Sequence, residues 1–206
     1  MNRRVAIIDY GIGNLHSVFT AIEHLGFDWR IVKDADDLNN AEPIILPGVG
    51  SFFAGMQNLR ARGFAEKLPK FLADPTNRIL GICLGFQLLG DFGYEDGGSS
   101  GLGMIKGSVV KFEAKTGLRV PHVGFNSVKH ENRGKLFSNL GEFNDFYFVH
   151  SYRFDDRPRE GIEVFCDYGS KFLAAYELDN IYGTQFHPEK SQTNGLRLLH
   201  NYIMKA

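Results

Sequence analysis

Two short segments far apart in this 206-residue chain carry residue types that could do nucleophilic chemistry together. In Gly81-Ile82-Cys83-Leu84-Gly85-Phe86-Gln87 a single cysteine stands between glycines, directly after the apolar pair Ile79-Leu80. In Gln185-Phe186-His187-Pro188-Glu189 a histidine and a carboxylate lie two residues apart, after the extended-looking Ile181-Tyr182-Gly183-Thr184. A thiol attacks as its thiolate, so it needs a base, and the base needs a partner that orients it. Cysteine, histidine and glutamate supply those parts, each at the carboxyl end of a predicted strand. The pattern points to a cysteine-nucleophile enzyme, with Cys83 as nucleophile, His187 as base and Glu189 as orienting group.

The local spacing supports each role. Gly81 and Gly85 flank Cys83 at two residues on either side, the strand–turn–helix pattern of a nucleophile elbow. A helix that starts there aims its N-terminal dipole at the sulfur and favours the thiolate. Pro188 biases His187 towards an extended backbone, which sends the side chains of His187 and Glu189 to one side. Glu189 can then accept a hydrogen bond from one ring nitrogen while the other faces the thiol. Cys166 shares strand parity with Ile162 and Val164 and reads as core. Pro47-Gly48-Val49-Gly50-Ser51 could be an ordinary glycine–proline turn. Beside a cysteine elbow it also reads as an oxyanion loop, in which a backbone N–H near Val49 joins that of Leu84. Gly11-Ile12-Gly13 lacks the third glycine of a dinucleotide fingerprint, position 16 being His16, so the oxidoreductase reading is rejected.

The elements that must hold these groups are visible in the apolar patterning. Residues 5–8 form a continuous apolar run, the mark of a strand buried on both faces. Leu15, Val18, Phe19 and Ile22 follow at helical spacing, with Asn14 as the expected N-cap and Gly26 as the stop. Residues 29–32, 44–46 and 79–80 read as further strands. Phe64, Leu68, Phe71 and Leu72 keep helical spacing, and Pro69 predicts a kink or restart there. Strands alternating with helices predict a parallel α/β sheet. After Gly97-Gly98-Ser99-Ser100-Gly101 the texture changes. Residues 109–112, 123–128, 146–149, 162–166, 173–176 and 181–185 read as strands with little helix between them, predicting antiparallel additions to the sheet. A closing helix carries Leu196, Leu199, His200 and Ile203 on one face. With no repeat, low-complexity tract or linker, residues 1–206 read as a single domain.

Composition excludes several classes. Twenty-three basic residues against 24 acidic ones leave a net charge of −1, without the basic footprint of a nucleic-acid binder. Two cysteines are too few for a disulfide framework, and neither they nor the seven histidines have metal-site spacing. No stretch approaches the ~20 apolar residues of a membrane helix, and the run after Met1 is too short for a signal peptide. A hydrophobic content of 43% is ordinary for a globular protein, and a cytoplasmic location is expected.

Taken together, Cys83-Leu84-Gly85-Phe86-Gln87-Leu88-Leu89 and Gln185-Phe186-His187-Pro188-Glu189-Lys190-Ser191 resemble the class I, triad-type glutamine amidotransferases. Four further motifs resemble, within that superfamily, the glutaminase subunits of imidazole glycerol phosphate synthases. They are Ile8-Asp9-Tyr10-Gly11-Ile12-Gly13-Asn14-Leu15, Leu46-Pro47-Gly48-Val49-Gly50-Ser51-Phe52, Pro121-His122-Val123-Gly124-Phe125-Asn126 and Phe148-Val149-His150-Ser151-Tyr152. The match runs from end to end. Phe125 stands where the family usually has tryptophan, and Phe86 where it often has methionine.

The resemblance implies a flavodoxin-like, mostly parallel sheet flanked by helices, with antiparallel additions in the second half. It implies glutamine as substrate, with Gly48, Gly50, Gln87, Glu95, Ser151 and Tyr152 around it and Glu95 anchoring its ammonium group. It implies no metal and no organic cofactor. Ammonia would pass to a separate (β/α)8-barrel synthase chain in a heterodimer, for imidazole glycerol phosphate and AICAR formation in histidine biosynthesis. Pro121, Val123, Phe125 and Asn126 would face that partner. Two alternatives stay open: a related glutaminase supplying a polysaccharide (amidino-sugar) pathway, and a free-standing Cys-His hydrolase such as a γ-glutamyl peptidase. A non-catalytic module of the same fold would be expected to lose Cys83 or His187.

Overall fold

The computed structural model describes residues 3–113, 118–131, 134–157 and 159–205. The chain opens with strands β1 (Arg4–Ile8), β2 (Asp28–Val32), β3 (Pro43–Gly48) and β4 (Arg78–Cys83), parallel in the order β2-β1-β3-β4. Helix α1 (Leu15–His24) joins β1 to β2, and helices α2 (Phe52–Ala61) and α3 (Phe64–Leu72) join β3 to β4. Val5, Ile7, Ile45 and Leu80 pack on one side with Val18 and Ile22 of α1. Ala6, Ile8, Ile44 and Ile79 pack on the other with Phe52, Met56, Leu59, Phe64 and Leu68 of α2 and α3. Burial on both faces is why these strands are unbroken apolar runs.

After β4 come α4 (Leu84–Leu88), β5 (Gly90–Gly93), β6 (Ser99–Ser100), β7 (Ile105–Lys111), β8 (His122–Lys129), β9 (Phe143–His150) and β10 (Tyr152–Phe154). Then follow β11 (Ile162–Asp167), β12 (Lys171–Leu178), β13 (Ile181–Thr184) and α5 (Gln192–Lys205). Among the described residues the main sheet has nine strands, in the order β2-β1-β3-β4-β13-β12-β11-β8-β9. Strand β13 returns parallel beside β4, with Thr184 opposite Ile82. The four strands beyond it are antiparallel, as the second half of the chain predicts. Helix α5 buries Leu198, Leu199, Tyr202 and Ile203 on the α1 side, and the Tyr202 hydroxyl donates to the carbonyl of Ile44 at 2.6 Å. No helix among the described residues is long and apolar enough to cross a membrane.

Four local readings need correction. Residues 109–112 were expected in the main sheet, but β7 belongs to a second sheet of order β10-β7-β5-β6. That sheet packs Val109, Ile105 and Phe154 into the α2 side of the core. Helix α3 runs unbroken through Pro69, and the break falls earlier, at Gly63, whose φ of +73° separates α2 from α3. The Asn14 side chain does not cap α1 but donates to Ser17 Oγ at 3.0 Å. His200 is exposed, so the buried face of α5 centres on Leu198 and Tyr202. The Gly26 stop has a full physical account: with φ at +78°, Gly26 donates to Glu23 and Phe27 donates to Ile22, a glycine-terminated cap.

Candidate active site

Cys83 ends β4 at φ +52° and ψ −108°, a left-handed conformation that a non-glycine residue holds only at a cost of about 1–3 kcal/mol. Its neighbours explain how the turn closes. A Cβ on Gly81 would meet Phe86 Cα at 2.6 Å, and one on Gly85 would meet the Leu46 carbonyl oxygen at 1.8 Å. Only glycines let α4 fold back this closely against β3 and β4. Cys83 is 6% exposed and lines the cavity described below. Its sulfur accepts from Gln185 Nε2 at 3.7 Å.

Because β13 is the other neighbour of β4, the segment after it arrives beside Cys83. The His187 N–H donates to the Tyr147 carbonyl at 2.9 Å, and Ser191 Oγ donates to the His187 carbonyl at 2.6 Å, so the backbone is clamped from both sides. His187 Nδ1 and Glu189 Oε1 are 2.7 Å apart, and both side chains are 2% exposed. A carboxylate on Nδ1 fixes the proton there and leaves Nε2 as the basic nitrogen. Nε2 is buried without a hydrogen-bond partner among the described residues. Burial pushes the imidazole's proton affinity down. Charge interaction with Cys83 first, then the hydrogen bond and charge of Glu189, outweigh it and hold the ring well above its ordinary 6.5. A histidine that gains its proton as the cysteine loses one suits a thiolate–imidazolium pair. Cys166 is the contrast: it donates to the Ser127 carbonyl, and burial pushes its thiol up to about 12.

The cavity at Cys83 holds about 390 Å³. Val49 and Gly50 line it on one side, Leu84 and Gln87 at its floor, and Glu95, Ser151 and Tyr152 around it. Gly48 does not line it. Gly48 sits opposite Cys83 in the β3–β4 register, pressed against the Tyr10 hydroxyl, and so places the Val49 loop beside Cys83. Gln87 donates to the Tyr152 carbonyl and to Gln185 Oε1, both at 2.9 Å. Glu95 Oε2 accepts from the Phe52 N–H at 2.8 Å, which seats the carboxylate on the start of α2. Burial first, and Asp96 more weakly, raise the proton affinity of Glu95 against that bond. The Ser151 carbonyl is taken by the Phe112 N–H at 3.0 Å.

Sequence reasoning did not assign roles to Gln185, His150 or Val149. Gln185 is fully buried and touches the cysteine sulfur, while His150 and Val149 line the cavity. The available signal was a glutamine and a histidine inside otherwise apolar strand-end runs, where a polar group must have a partner.

Val123 and Phe125 are 56% and 51% exposed on one face of β8. They stand opposite Val149 and Tyr147 of β9, with Phe125 and Tyr147 in edge contact at 5.6 Å. Pro121 and Val149 carry this apolar face to the mouth of the cavity. Asn126 does not belong to it. Strand alternation turns its side chain to the opposite face, where it donates to the Asp167 carbonyl at 3.0 Å. Phe86 is fully buried over Gly183 and Phe154, so its ring is absorbed by the core.

A family model described as glutamine amidotransferase class-I matches residues 6–206. The imidazole glycerol phosphate synthase subunit HisH 1 of Campylobacter jejuni (strain RM1221) is 45% identical over 199 residues, covering 97% of this chain and 98% of that one. The imidazole glycerol phosphate synthase hisHF, chloroplastic, of Arabidopsis thaliana is 40% identical over 201 residues, which are 97% of this chain but 34% of that one. A solved structure of a glutamine amidotransferase matches with a TM-score of 0.74 at 20% identity over 96% of each chain, a likeness of fold alone.

Proposed function

The chain belongs to the class-I glutamine amidotransferases, and from that membership we propose that it is the glutaminase subunit of an imidazole glycerol phosphate synthase in cytoplasmic histidine biosynthesis. It hydrolyses glutamine to glutamate and hands the ammonia to a separate barrel-shaped synthase chain in a heterodimer. The observation that carries the glutaminase chemistry is the strained Cys83 opening on one cavity beside a histidine whose other nitrogen is held by Glu189 at 2.7 Å.

In this reading the Cys83 thiolate attacks the carboxamide carbon of glutamine, and its proton rests on His187. The N–H groups of Val49 and Leu84 hold the oxyanion. His187 gives its proton to the departing nitrogen, so ammonia leaves and a thioester remains. His187 then takes a proton from water, the hydroxide attacks the thioester, and glutamate departs as the thiolate is regenerated. The residues 1–206 are proposed to act as one domain in this.

Glu95 is the proposed anchor of the substrate ammonium, with one oxygen seated on α2 and the other free for the ligand. Glu95→Gln keeps an acceptor for Phe52 but loses the charge. A charged hydrogen bond is worth about 1.5–3 kcal/mol, so KM for glutamine is expected to rise about 10-fold or more while kcat stays within a few-fold. Steady-state kinetics check this, and an unchanged KM removes Glu95 from the site.

A partner is supported by two observations. The Arabidopsis relative carries the matching segment as a third of a longer chain, and Val123 and Phe125 present an apolar face at the cavity mouth. Ammonia set free in water is protonated and loses its nucleophilicity, so delivery within a complex is what the chemistry requires. Phe125→Ala is expected to weaken the complex by about 1–3 kcal/mol and leave the melting temperature of the isolated chain unchanged. The test is the glutaminase rate with and without the co-expressed barrel chain, and the complex Kd for both variants. Full activity in the isolated chain, with no complex recovered, favours a free-standing hydrolase instead.

A further inference from the structure

His122 and His150 form a buried pair that the hydrolysis itself does not use. His122 Nδ1 lies 3.0 Å from His150 Nε2, and the two residues are 2% and 6% exposed. His150 Nδ1 lies 2.9 Å from the Tyr152 carbonyl oxygen. His122 Nε2 lies 3.5 Å from Asn126 Nδ2, whose other reach is to the Asp167 carbonyl. The His122 ring is stacked on Tyr168 at 3.8 Å and on Phe148 at 4.8 Å, which fixes its plane.

The chemistry of the end groups sets every proton along this line. A carbonyl only accepts, so His150 Nδ1 must carry the hydrogen. Burial drives both rings to the neutral form, His122 to about 4 and His150 to about 3. A neutral ring with hydrogen on Nδ1 has a bare Nε2, so His150 Nε2 accepts and His122 Nδ1 donates. His122 Nε2 is then bare in turn and accepts from the Asn126 amide. The reverse direction would set two lone pairs against each other at Tyr152.

The Tyr152 carbonyl is also the anchor of Gln87, which donates to it at 2.9 Å. The second Gln87 hydrogen goes to Gln185 Oε1 at 2.9 Å, and Gln185 Nε2 reaches the Cys83 sulfur at 3.7 Å. With both amide hydrogens spent, the Gln87 carbonyl oxygen is what that side chain has left to offer a ligand. We propose that His122 is a positioning residue for the glutamine site: through His150 it fixes the Tyr152 carbonyl, and through that carbonyl the orientation of Gln87. This rests on the glutaminase reading for its substrate, while the hydrogen-bond direction follows from the Tyr152 carbonyl at one end of the line and from the burial that keeps both rings neutral.

Two variants and a spectroscopic measurement test it on the full chain with its synthase partner. His122→Phe keeps the stacked ring and removes the donor. His122→Asn carries an amide nitrogen where Nδ1 stood and can still donate to His150. The KM for glutamine is expected to rise about 10-fold in H122F, with kcat changed less than about 3-fold, and to return to within about 3-fold of wild type in H122N. Imidazole nitrogen NMR of the wild type should show both rings neutral at pH 7, with hydrogen on Nδ1. A lower melting temperature in H122F with unchanged KM, or an H122N variant as impaired as H122F, overturns the positioning role and reduces the pair to core packing. Hydrogen on Nε2 of His150 overturns the proposed direction whatever the kinetics show. A wild-type protein inactive on glutamine while both rings show Nδ1–H defeats the glutaminase reading, and with it the substrate role given to the pair.

Discussion

Cys83→Ala abolishes glutamine hydrolysis, lowering the rate by about 10⁴-fold or more, while the chain stays folded and bound to its partner. No other group in the cavity can form the thioester, so the oxyanion donors and bound substrate are left with water as the only nucleophile. The structural loss is small. Alanine adopts the same strained φ of +52° no worse than cysteine, and the missing sulfur opens onto an existing cavity instead of leaving a void in the core. Gln185 loses an acceptor at 3.7 Å, which costs about 1 kcal/mol. Rates on the purified complex and a melting curve decide the matter. A variant that keeps near wild-type turnover removes Cys83 from the mechanism, and one that fails to fold leaves the sulfur with a structural role instead.

His187→Asn is expected to cost about 10²–10⁴-fold, because in the proposed mechanism the ring moves a proton in both half-reactions. Glu189→Gln is expected to cost about 10-fold less than that, following the smaller loss seen for the orienting member of a triad. The reason lies in the pair's geometry. A glutamine amide can rotate to set its oxygen on Nδ1 where Glu189 Oε1 now sits at 2.7 Å, so the tautomer survives and only the charge is lost. Its nitrogen then takes the place of Glu189 Oε2, a buried atom with no partner among the described residues. Single-turnover rates for the two variants check the order. If Glu189→Gln proves the worse, Glu189 does more than orient the ring.

The two variants also separate the site's local parts from its assembled ones. Gly81, Cys83 and Gly85 make a turn whose closure depends on residues within a few positions, and the spacing of His187, Pro188 and Glu189 sets their shared side by backbone geometry alone. Each was legible because the chemistry is written within one element. The parallel run of strands was legible for a related reason: burial on both faces leaves nothing but apolar residues in 5–8 and 44–46. Helix α2 has a weaker apolar pattern in the sequence, although Ser51 caps it and Phe52, Met56 and Leu59 hold its buried face. The five residues Gly97-Gly98-Ser99-Ser100-Gly101 carry no strand pattern, although Ser99 and Ser100 form β6 of the second sheet. Its β5 strand contains two glycines in four residues, and no propensity pattern announces such a strand.

What the amino-acid sequence determined by itself is the list of parts: a cysteine on an elbow, a histidine with its carboxylate, a glycine loop, and an α/β alternation to carry them. What only the tertiary structure decided is which parts meet. Strand order puts β4 between β3 and β13, so the Val49 loop and His187 flank Cys83 although they lie more than thirty and a hundred residues away along the chain. Strand alternation sends Phe125 to the surface and Asn126 to the opposite face. The second sheet brings Tyr152 over Gln87, where its carbonyl meets the His122–His150 line of the main sheet. These are contacts between segments with no local signal for one another. They arise because each buried polar group must find a partner once the apolar faces of both sheets and their helices have packed.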